Sequence, residues 1–343
     1  MSNRFILFIA LFLAPLASIN ATITDQELNS VTFEDSPRAR EIIHPDWFKL
    51  SFLDLRNDLR EALASGKKGI ALYFGQKNCA YCKALMEVNF KKPTLVKYVR
   101  ENFDIIPLDI WGNRTVTMIS GEQIKENELA IFENTNFTPS LIFFNQEGQI
   151  SFKMRGYFKP YRFQAMLKYI AEDYYKIESF RRYLDRAAPP GKFDEEDLNE
   201  YEQFAVAPQV MDRRAASSNK PLAVFFEEKK CHACDVLHSE PMYDNKAQTF
   251  LKGFELRQLD VRSNTPILTP DGFRISARQW AEKLDIHYAP TIVIFDETGQ
   301  EVMRVDSVVK LYRLRGILNY IVSKGYKHYR SYQRWRRYSE AER

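Results

Sequence analysis

The segment Cys79-Ala80-Tyr81-Cys82 decides how this chain is interpreted, and a second segment of the same form follows as Cys231-His232-Ala233-Cys234. Each segment follows a short apolar run and precedes apolar residues at helical spacing, which places both pairs at a strand-to-helix junction. The first turn of a helix has unpaired N–H groups and the positive end of the helix dipole, so a thiolate there is stabilised. The first cysteine of each pair is therefore predicted to be a nucleophile, and the second is placed to close a disulfide.

The cysteine content favours a reactive role for the cysteines over structural cross-linking. The 343-residue chain has four cysteines, and the two pairs use all of them. Four cysteines are too few for a disulfide scaffold. Half of a zinc site and a structural disulfide are the alternatives that the pairs themselves leave open. The hydrophobic content of 45% allows a sizeable core, and the length allows two domains.

The first 21 residues have the features of a secretory signal peptide. Arg4 supplies the positive charge, Phe5 to Ala17 is an apolar run, and Ile19-Asn20-Ala21 is a small-residue cleavage site. The apolar run is shorter than the ~20 residues that span a bilayer. An uncleaved anchor is the alternative. We expect a periplasmic or otherwise exported mature chain with no membrane span, in a compartment where disulfides persist.

The charge distribution argues against nucleic-acid binding. The formal net charge is +4, and residues 324–343 alone hold seven Lys or Arg against two Glu. The rest of the chain is therefore nearly neutral. A general basic surface for nucleic acid is not expected.

Apolar spacing predicts the same order of elements in both halves of the chain: helix, strand, CxxC helix, strand, helix, X-Pro, hairpin and helix. In the first half, Trp47 to Leu63 is the first predicted helix and Ile70 to Phe74 the strand before the cysteines. Pro93 is expected to interrupt or kink the helix that the cysteines open. A small hairpin is expected over Thr115 to Ile124, and a last helix over Tyr161 to Tyr175.

The two halves align residue by residue. Ser65 to Phe74 lines up with Ser217 to Phe226, and Pro139, Gly148 and Arg162 line up with Pro290, Gly299 and Arg313. This register indicates a tandem duplication. The predicted organisation is a signal peptide at 1–21, a polar leader at 22–46, a first domain at 47–185, a linker at 186–196 and a second domain at 197–343.

The order of elements resembles the thioredoxin fold, an α/β fold with a central mixed sheet flanked by helices, here in tandem with helical C-terminal extensions. The first half is particularly similar to SoxW-type periplasmic thioredoxins in the run Tyr73 to Lys83, in Leu108-Asp109-Ile110 and in Thr138-Pro139-Ser140. The resemblance implies that both aligned prolines are cis and face the disulfides, with the adjoining backbone pairing with a substrate strand. The implied substrate-binding residues are Thr138, Pro139, Ala289 and Pro290.

Two features differ from thioredoxin. Thioredoxin carries a buried acid six residues before its first cysteine, where this chain has Tyr73 and Phe225. The proton acceptor for the second thiol is therefore not identifiable. Neither Ala80-Tyr81 nor His232-Ala233 matches the dipeptide of thioredoxin or of the dedicated disulfide-forming oxidase. The residues themselves leave the direction of electron flow open.

The predicted function is that of an exported thiol-disulfide oxidoreductase. The nucleophiles are Cys79 and Cys231, and the resolving cysteines are Cys82 and Cys234. The SoxW-like resemblance favours a reductase of protein disulfides that needs no cofactor, acts on exported proteins and takes electrons from a membrane-bound donor. Lys83 could add favourable charge to the first site, and a cationic His232 would make the second site the more oxidising one.

Two other classes of function fit the same residues. A Cu(I) or zinc carrier could use Cys231, Cys234 and His238, with His287 near the second predicted cis-proline. Against it, the first half has Met86 and Asn136 at the positions of the two histidines. The other alternative is a substrate-binding, chaperone-like module in which one half has lost its chemistry, although both cysteine pairs are intact.

The C-terminal tail carries an aromatic repeat. Tyr326, Tyr329, Tyr332, Trp335 and Tyr338 recur at every third residue, a pattern that predicts one helix with an aromatic stripe. We expect the rings to pack against the protein itself. The basic residues between the rings have candidate partners in an acidic stretch, and the alternative is a surface for an acidic protein or anionic lipid. The acidic residues are Asp194, Glu195, Glu196, Asp197, Glu200 and Glu202.

Overall fold

The computed structural model describes residues 42–187, 198–214, 218–229, 231–238 and 240–341, and within these ranges it does not describe the side chains of residues 185–187, 232, 240, 340 and 341. The predicted signal peptide and most of the predicted leader lie outside these ranges. Most of the predicted linker also lies outside them, so its position stays a prediction. We call residues 42–187 the first unit and residues 198–341 the second unit.

The first unit is built on a four-stranded mixed sheet. Its strand order is β2-β1-β5-β6, with β1 parallel to β2 and antiparallel to β5. Two short strands, β3 and β4, form a separate hairpin. The elements are α1 (Leu55–Ala64), β1 (Gly69–Gly75), α2 (Ala80–Ala84) with a π-helical turn (Leu85–Asn89), α3 (Pro93–Asn102), β2 (Phe103–Asp109), β3 (Thr115–Thr117), β4 (Gln123–Lys125), α4 (Glu126–Phe132), β5 (Ser140–Phe144), β6 (Ile150–Arg155), α5 (Pro160–Ala171), a 3₁₀ turn (Tyr174–Lys176) and α6 (Phe180–Ala187).

The second unit repeats this architecture. Its four-stranded sheet has the order β13-β12-β8-β9, and β7, β10 and β11 form a small three-stranded sheet beside it. The tandem arrangement of two α/β units is therefore confirmed. The elements are β7 (Gln209–Val210), β8 (Leu222–Glu227), α7 (His232–His238), α8 (Glu240–Tyr243), α9 (Asn245–Leu251), β9 (Glu255–Asp260), β10 (Pro266–Leu268), β11 (Arg274–Ser276), α10 (Ala277–Lys283), β12 (Thr291–Phe295), β13 (Glu301–Val305), α11 (Leu311–Val322), α12 (Gly325–His328) and α13 (Tyr332–Ala341).

Both central strands are buried on both faces, which explains why they read as unbroken apolar runs rather than as alternating patterns. Ala71 and Tyr73 pack in the cluster that contains the first cysteine pair, and Leu72 and Phe74 pack in a second cluster on the opposite face. Strand β8 is likewise buried along its whole length. Among the residues that the structure describes, the helices lack the length and apolar character that a bilayer span requires.

The first helix differs from its prediction. It begins at Leu55 rather than Trp47, because Asp54 caps it by accepting hydrogen bonds from the N–H groups of Arg56 and Asn57. The residues before it run in an irregular segment in which Phe48 is buried while Phe52 is fully exposed. The apolar residues from Trp47 to Leu63, which were expected to lie on one helix, therefore belong to an irregular segment followed by α1.

Other helix boundaries in both units can also be compared with the predicted ones. The helix that the cysteines open is interrupted before Pro93, as predicted, and Pro93 then starts α3, which suits a residue with no N–H to donate. Helix α5 ends at Ala171. In the tail, the extended backbone of Tyr329 separates α12 from α13, so the aromatic period of three does not follow one helix.

The two units contact each other through equivalent residues. Arg155 and Asp306 occupy aligned positions, and Arg155 Nη1 lies 3.9 Å from Asp306 Oδ2. Next to them, Gly156 has φ +83°, and a Cβ there would clash with Ser307 Oγ. The strand ends of β6 and β13 thus meet through aligned residues, an arrangement typical of two repeats related by a pseudo-twofold axis.

Candidate active site

Each cysteine pair lies between the central strand of its sheet and the helix that follows. Cys79 is the N-cap of α2, and the Cys82 N–H donates to Cys79 Sγ over 3.0 Å. In the second unit the Cys234 N–H donates to Cys231 Sγ over 3.1 Å. Both pairs are closed disulfides, with Cα–Cα distances of 5.2 and 5.1 Å. The first sulfur therefore receives the backbone hydrogen bond that would stabilise a thiolate in the reduced protein.

The first cysteine pair lies beside the predicted proline. The Thr138-Pro139 and Ala289-Pro290 bonds are both cis. Cys79 Sγ lies 3.3 Å from Thr138 Oγ1 and 3.6 Å from the Thr138 carbonyl oxygen. Ala289 offers no hydroxyl at the equivalent position. A third cis bond, Ala207-Pro208, was missed because nothing in the local sequence distinguishes it from a trans bond.

The four cysteines differ in exposure. Cys82 and Cys234 are fully buried, Cys79 is 6% exposed, and Cys231 is half-buried. The first cysteine of each pair is thus the more exposed one, in the order expected for a nucleophile. Cys79 is nevertheless largely covered, which sequence patterns did not indicate.

The second unit contacts residues that lie next to Cys79. The Arg313 guanidinium lies 3.4 Å from the centroid of the Tyr81 ring, and its Nη2 donates to the Thr138 carbonyl oxygen over 3.1 Å. From α13, Gln333 Nε2 donates to the Asn136 carbonyl oxygen over 3.1 Å. The carbonyl beside the first cis-proline therefore already has a partner from within the chain.

The first unit covers the second in an equivalent way. Arg162, which aligns with Arg313, lies over the Tyr288 ring at 4.3 Å and donates to the His287 carbonyl oxygen over 2.7 Å. From α6, Arg181 Nη1 donates to the Ile286 carbonyl oxygen over 3.3 Å, and its Nη2 lies 3.0 Å from Glu228 Oε1. Each unit therefore places an arginine and its terminal helix against the loop before the other unit's cis-proline.

The aromatic tail packs within the chain. Tyr332 and Trp335 are buried, whereas Tyr338 is 54% exposed. Lys324 Nζ lies 3.3 Å from Glu297 Oε1, a carboxylate that the sequence had not singled out. Of the predicted acidic partners, those at 194–197 lie outside the described residues, and Glu200 and Glu202 form no ion pair with the described part of the tail.

A buried polar pair distinguishes the second site. Glu227 Oε1 lies 2.8 Å from His238 Nε2, and Gln258 Nε2 donates to Glu227 Oε2 over 2.9 Å. Sequence reasoning missed Glu227, although a charged residue at the end of an apolar strand is a usable signal. The equivalent positions in the first unit are Gly75 and Met86.

The first site has a buried phenol instead. Among the described residues, the Tyr73 hydroxyl has no hydrogen-bond partner. Burial, with a smaller contribution from the charge of Asp109, raises the pKa of Tyr73 above its usual value. The two sites therefore differ in the polar groups beneath them.

The histidines proposed as metal ligands are not brought together with the cysteines. His287 packs against the rings of Phe152 and Phe180 in the contact between the units. Its burial, followed by the charge of Arg162, lowers its pKa to about 3. His238 is held by Glu227. In the part of the chain that the structure describes, no group of three or more His, Cys, Asp or Glu is arranged to hold a metal ion.

The structure describes only one of the two charged side chains that were predicted to act on the cysteines. Lys83 Nζ lies 3.3 Å from Glu87 Oε1 on the next helical turn, so a carboxylate offsets its charge. The predicted effect of His232 concerns a side chain outside the described structure, and it stays a prediction.

Comparison with protein families identifies both units. The family model described as Thioredoxin-like domain matches residues 55–171 and again residues 209–321, together more than half of the chain. The chain belongs to the thioredoxin-like domain family. The fold class predicted from the sequence is thereby confirmed, in two copies. No curated protein matches the chain.

Solved structures with the thioredoxin fold are similar to single units at low identity. A thioredoxin-fold protein from Helicobacter pylori is 13% identical, covers 41% of this chain and 89% of its own, and has a TM-score of 0.35. A thioredoxin from Thermus thermophilus is 18% identical, with coverages of 34% and 82% and a TM-score of 0.27. The oxidised C-terminal domain of DsbD from Neisseria meningitidis is 16% identical, with coverages of 34% and 89% and a TM-score of 0.25.

Proposed function

We propose that this protein is an exported thiol-disulfide oxidoreductase that reduces protein disulfides. Two thioredoxin-like domains with a CxxC pair each fit thiol-disulfide exchange. The observation that carries the proposal is the position of the two first sulfurs. Each accepts a hydrogen bond from the backbone N–H of the second cysteine of its pair, at the start of a helix. That geometry stabilises a thiolate, which is the reacting species.

The reaction runs through a mixed disulfide. In the reduced protein, the thiolate of Cys79 or Cys231 attacks one sulfur of a substrate disulfide and releases the other as a thiolate. Cys82 or Cys234, once deprotonated, then attacks the first cysteine and releases the second substrate sulfur. One substrate disulfide becomes two thiols, and one protein dithiol becomes a disulfide. A dithiol donor must then restore the reduced protein.

The reductive direction and the exported location rest on the sequence. The run around the first cysteine pair is similar to SoxW-type periplasmic thioredoxins, and the first 21 residues have the pattern of a signal peptide. We therefore place the protein in the periplasm or another exported compartment, with a membrane-bound protein as its electron donor. Its expected substrates are exported proteins with disulfides.

An insulin-reduction assay tests the activity, and a redox titration tests its direction. The wild-type chain should accelerate insulin reduction, Cys79→Ala/Cys82→Ala and Cys231→Ala/Cys234→Ala should each lower the rate, and the combined variant should be inactive. Equal rates for wild type and the combined variant would refute the proposal. Potentials near the ~ −270 mV of thioredoxin support a reductase, whereas values near the ~ −120 mV of DsbA would make the protein a disulfide donor.

A further inference from the structure

A chain of hydrogen bonds leads from Trp111, just after β2, to the first cysteine pair. Trp111 Nε1 donates to Gln76 Oε1 over 2.9 Å, and Gln76 Nε2 donates to Thr138 Oγ1 over 2.8 Å. Thr138 Oγ1 in turn lies 3.3 Å from Cys79 Sγ. Thr138 is buried, and Gln76 and Trp111 are half-buried. The chain therefore ends on the sulfur that is predicted to attack.

The donor groups fix the direction of this chain. An indole N–H can only donate, so the amide oxygen of Gln76 faces Trp111 and its nitrogen faces Thr138. The Thr138 oxygen accepts that hydrogen bond, which leaves its own hydrogen for another acceptor. Cys79 Sγ carries no hydrogen in the disulfide, so the hydroxyl is the donor between these two atoms. In the reduced protein the same hydrogen bond would stabilise the Cys79 thiolate.

The second unit completes the arrangement through α13. Gln76 Nε2 also donates to Gln333 Oε1 over 3.0 Å, and the buried Gln333 is itself held by its hydrogen bond to the Asn136 carbonyl oxygen. One turn further along α13, the Arg337 guanidinium lies 4.7 Å from the centroid of the Trp111 ring. Both amide hydrogens of Gln76 thus have an acceptor, one in each unit, and its side chain is held in one orientation.

The second unit has charged groups at the aligned positions. Glu228 takes the place of Gln76, with Arg181 Nη2 3.0 Å from its Oε1 and Arg262 Nη2 3.4 Å from its Oε2. Arg181 comes from the terminal helix of the first unit, so each terminal helix contacts the residue three positions before the other unit's first cysteine. Ala289 has no hydroxyl that could pass a hydrogen bond on to the second pair. The chain of neutral hydrogen bonds that ends on a sulfur is therefore a property of the first site.

We propose that Gln76 is a positioning residue for the first cysteine pair, which acts by directing the Thr138 hydroxyl toward the Cys79 thiolate. Trp111 and Gln333 hold Gln76 in the orientation that this requires. The inference rests on the proposed function and adds residues from both units to the machinery of the first site. Because the thiolate is the attacking species, these residues raise the fraction of Cys79 that can react near neutral pH.

The test measures the Cys79 thiolate in the full chain. Cys82→Ser, Cys231→Ser and Cys234→Ser leave Cys79 as the only cysteine, and iodoacetamide reacts with its thiolate rather than its thiol. The alkylation rate at mildly acidic pH reports the fraction of thiolate. The rate at alkaline pH, where the thiol is deprotonated in every variant, reports access to the sulfur. The ratio of the acidic rate to the alkaline rate therefore separates loss of the hydrogen bond from a change in packing.

Variants in this single-cysteine chain test each step. Thr138→Val removes the hydroxyl and keeps the shape, so it should lower the ratio by roughly tenfold, whereas Thr138→Ser keeps the hydroxyl and should retain the ratio. Gln76→Met should lower the ratio by roughly threefold, because the hydroxyl remains but is no longer directed to the sulfur. Gln76→Met should have no further effect in the Thr138→Val background, since both changes act on the same hydrogen bond. Gln333→Met should lower the ratio by a smaller factor, because Trp111 still orients Gln76.

A matched control and a second variant keep the test decisive. Gln123→Met makes the same change at an exposed residue of β4 and should leave the ratio unchanged. Circular dichroism establishes that the variants are folded, and Gln76→Ala replaces Gln76→Met if the latter does not fold.

The outcomes separate the two proposals. An unchanged ratio in Gln76→Met, or a fall that persists undiminished in the Thr138→Val background, would overturn the role of Gln76. An unchanged ratio in Gln333→Met would overturn the contribution of the second unit. In either case, insulin reduction by the wild-type chain still supports the oxidoreductase. A wild-type chain that does not reduce insulin would overturn the oxidoreductase, even if the alkylation ratios change as expected.

Discussion

Arg313 links the two units beside the first cysteine pair, through Tyr81 and Thr138, so we expect its removal to make that pair more accessible. The guanidinium is buried, lies over the Tyr81 ring at 3.4 Å and donates to the Thr138 carbonyl oxygen over 3.1 Å. A desolvated cation–π contact contributes about 2 kcal/mol, and a hydrogen bond from a charged group about 1.5 kcal/mol or more. Arg313→Met keeps the apolar stem, so it should weaken the contact between the units by roughly 3 kcal/mol.

The assay is alkylation of Cys79 by a bulky maleimide in the reduced Cys231→Ser/Cys234→Ser background. If attack needs the units to open, a weakening of roughly 3 kcal/mol raises the alkylation rate by about a hundredfold. A rise of tenfold still fits partial opening. Lys97→Met, a removal of positive charge from an exposed side chain of α3, serves as the matched control and should leave the alkylation rate unchanged. Equal alkylation rates for the parent and Arg313→Met would refute the view that the second unit covers Cys79.

Three further predictions concern reactivity and stability. In the reduced protein at mildly acidic pH, Cys79 should be alkylated before Cys82, as mapped by peptide mass spectrometry; the reverse order would contradict the nucleophile assignment. Deleting residues 326–343 removes the buried rings of Tyr332 and Trp335, so the thermal midpoint should fall while exchange chemistry at Cys79 persists; an unchanged midpoint would show that the tail does not stabilise the fold. Burial lowers the pKa of His287 from 6.5 to about 3, so the unfolded chain binds more protons between these values and stability falls as pH drops through that window. His287→Phe should make the free energy of unfolding, measured by denaturant, depend less on pH in this window. An unchanged pH dependence would show that His287 does not cause it.

Local patterns were sufficient to predict the fold. Unbroken apolar strands, the two cysteine pairs and the aligned prolines each depend on neighbours in sequence or on the repeat, and all are found where expected. The exceptions are at element ends. Helix α1 begins later than predicted because Asp54 caps it, and the extended backbone of Tyr329 divides the predicted tail helix into α12 and α13. Both depend on hydrogen bonds and packing that apolar spacing does not encode.

The surroundings of the cysteines were predictable only in part. The position of Cys79 next to Thr138 followed from the resemblance to thioredoxins. The contacts of Arg313 with Tyr81 and Thr138 could not be predicted, because they depend on how one unit packs on the other. The alignment of Arg162 with Arg313 was a usable signal, because two duplicated units related by a twofold axis can each place the same residue against the other unit. Glu227 was overlooked because its partner His238 was considered only as a metal ligand.

Trapping of the mixed disulfide tests the central claim most directly. The full chain with Cys82→Ser and Cys234→Ser cannot resolve the intermediate, so it should accumulate covalent complexes on incubation with oxidised glutathione or insulin. Mass spectrometry of the peptides should find the linkage on Cys79 and on Cys231, and a reductant should release it. The Cys79→Ser/Cys231→Ser variant is the matched control and should accumulate far less. Absence of any adduct on the two first cysteines, or equal adducts in the control, would contradict a function in thiol-disulfide exchange.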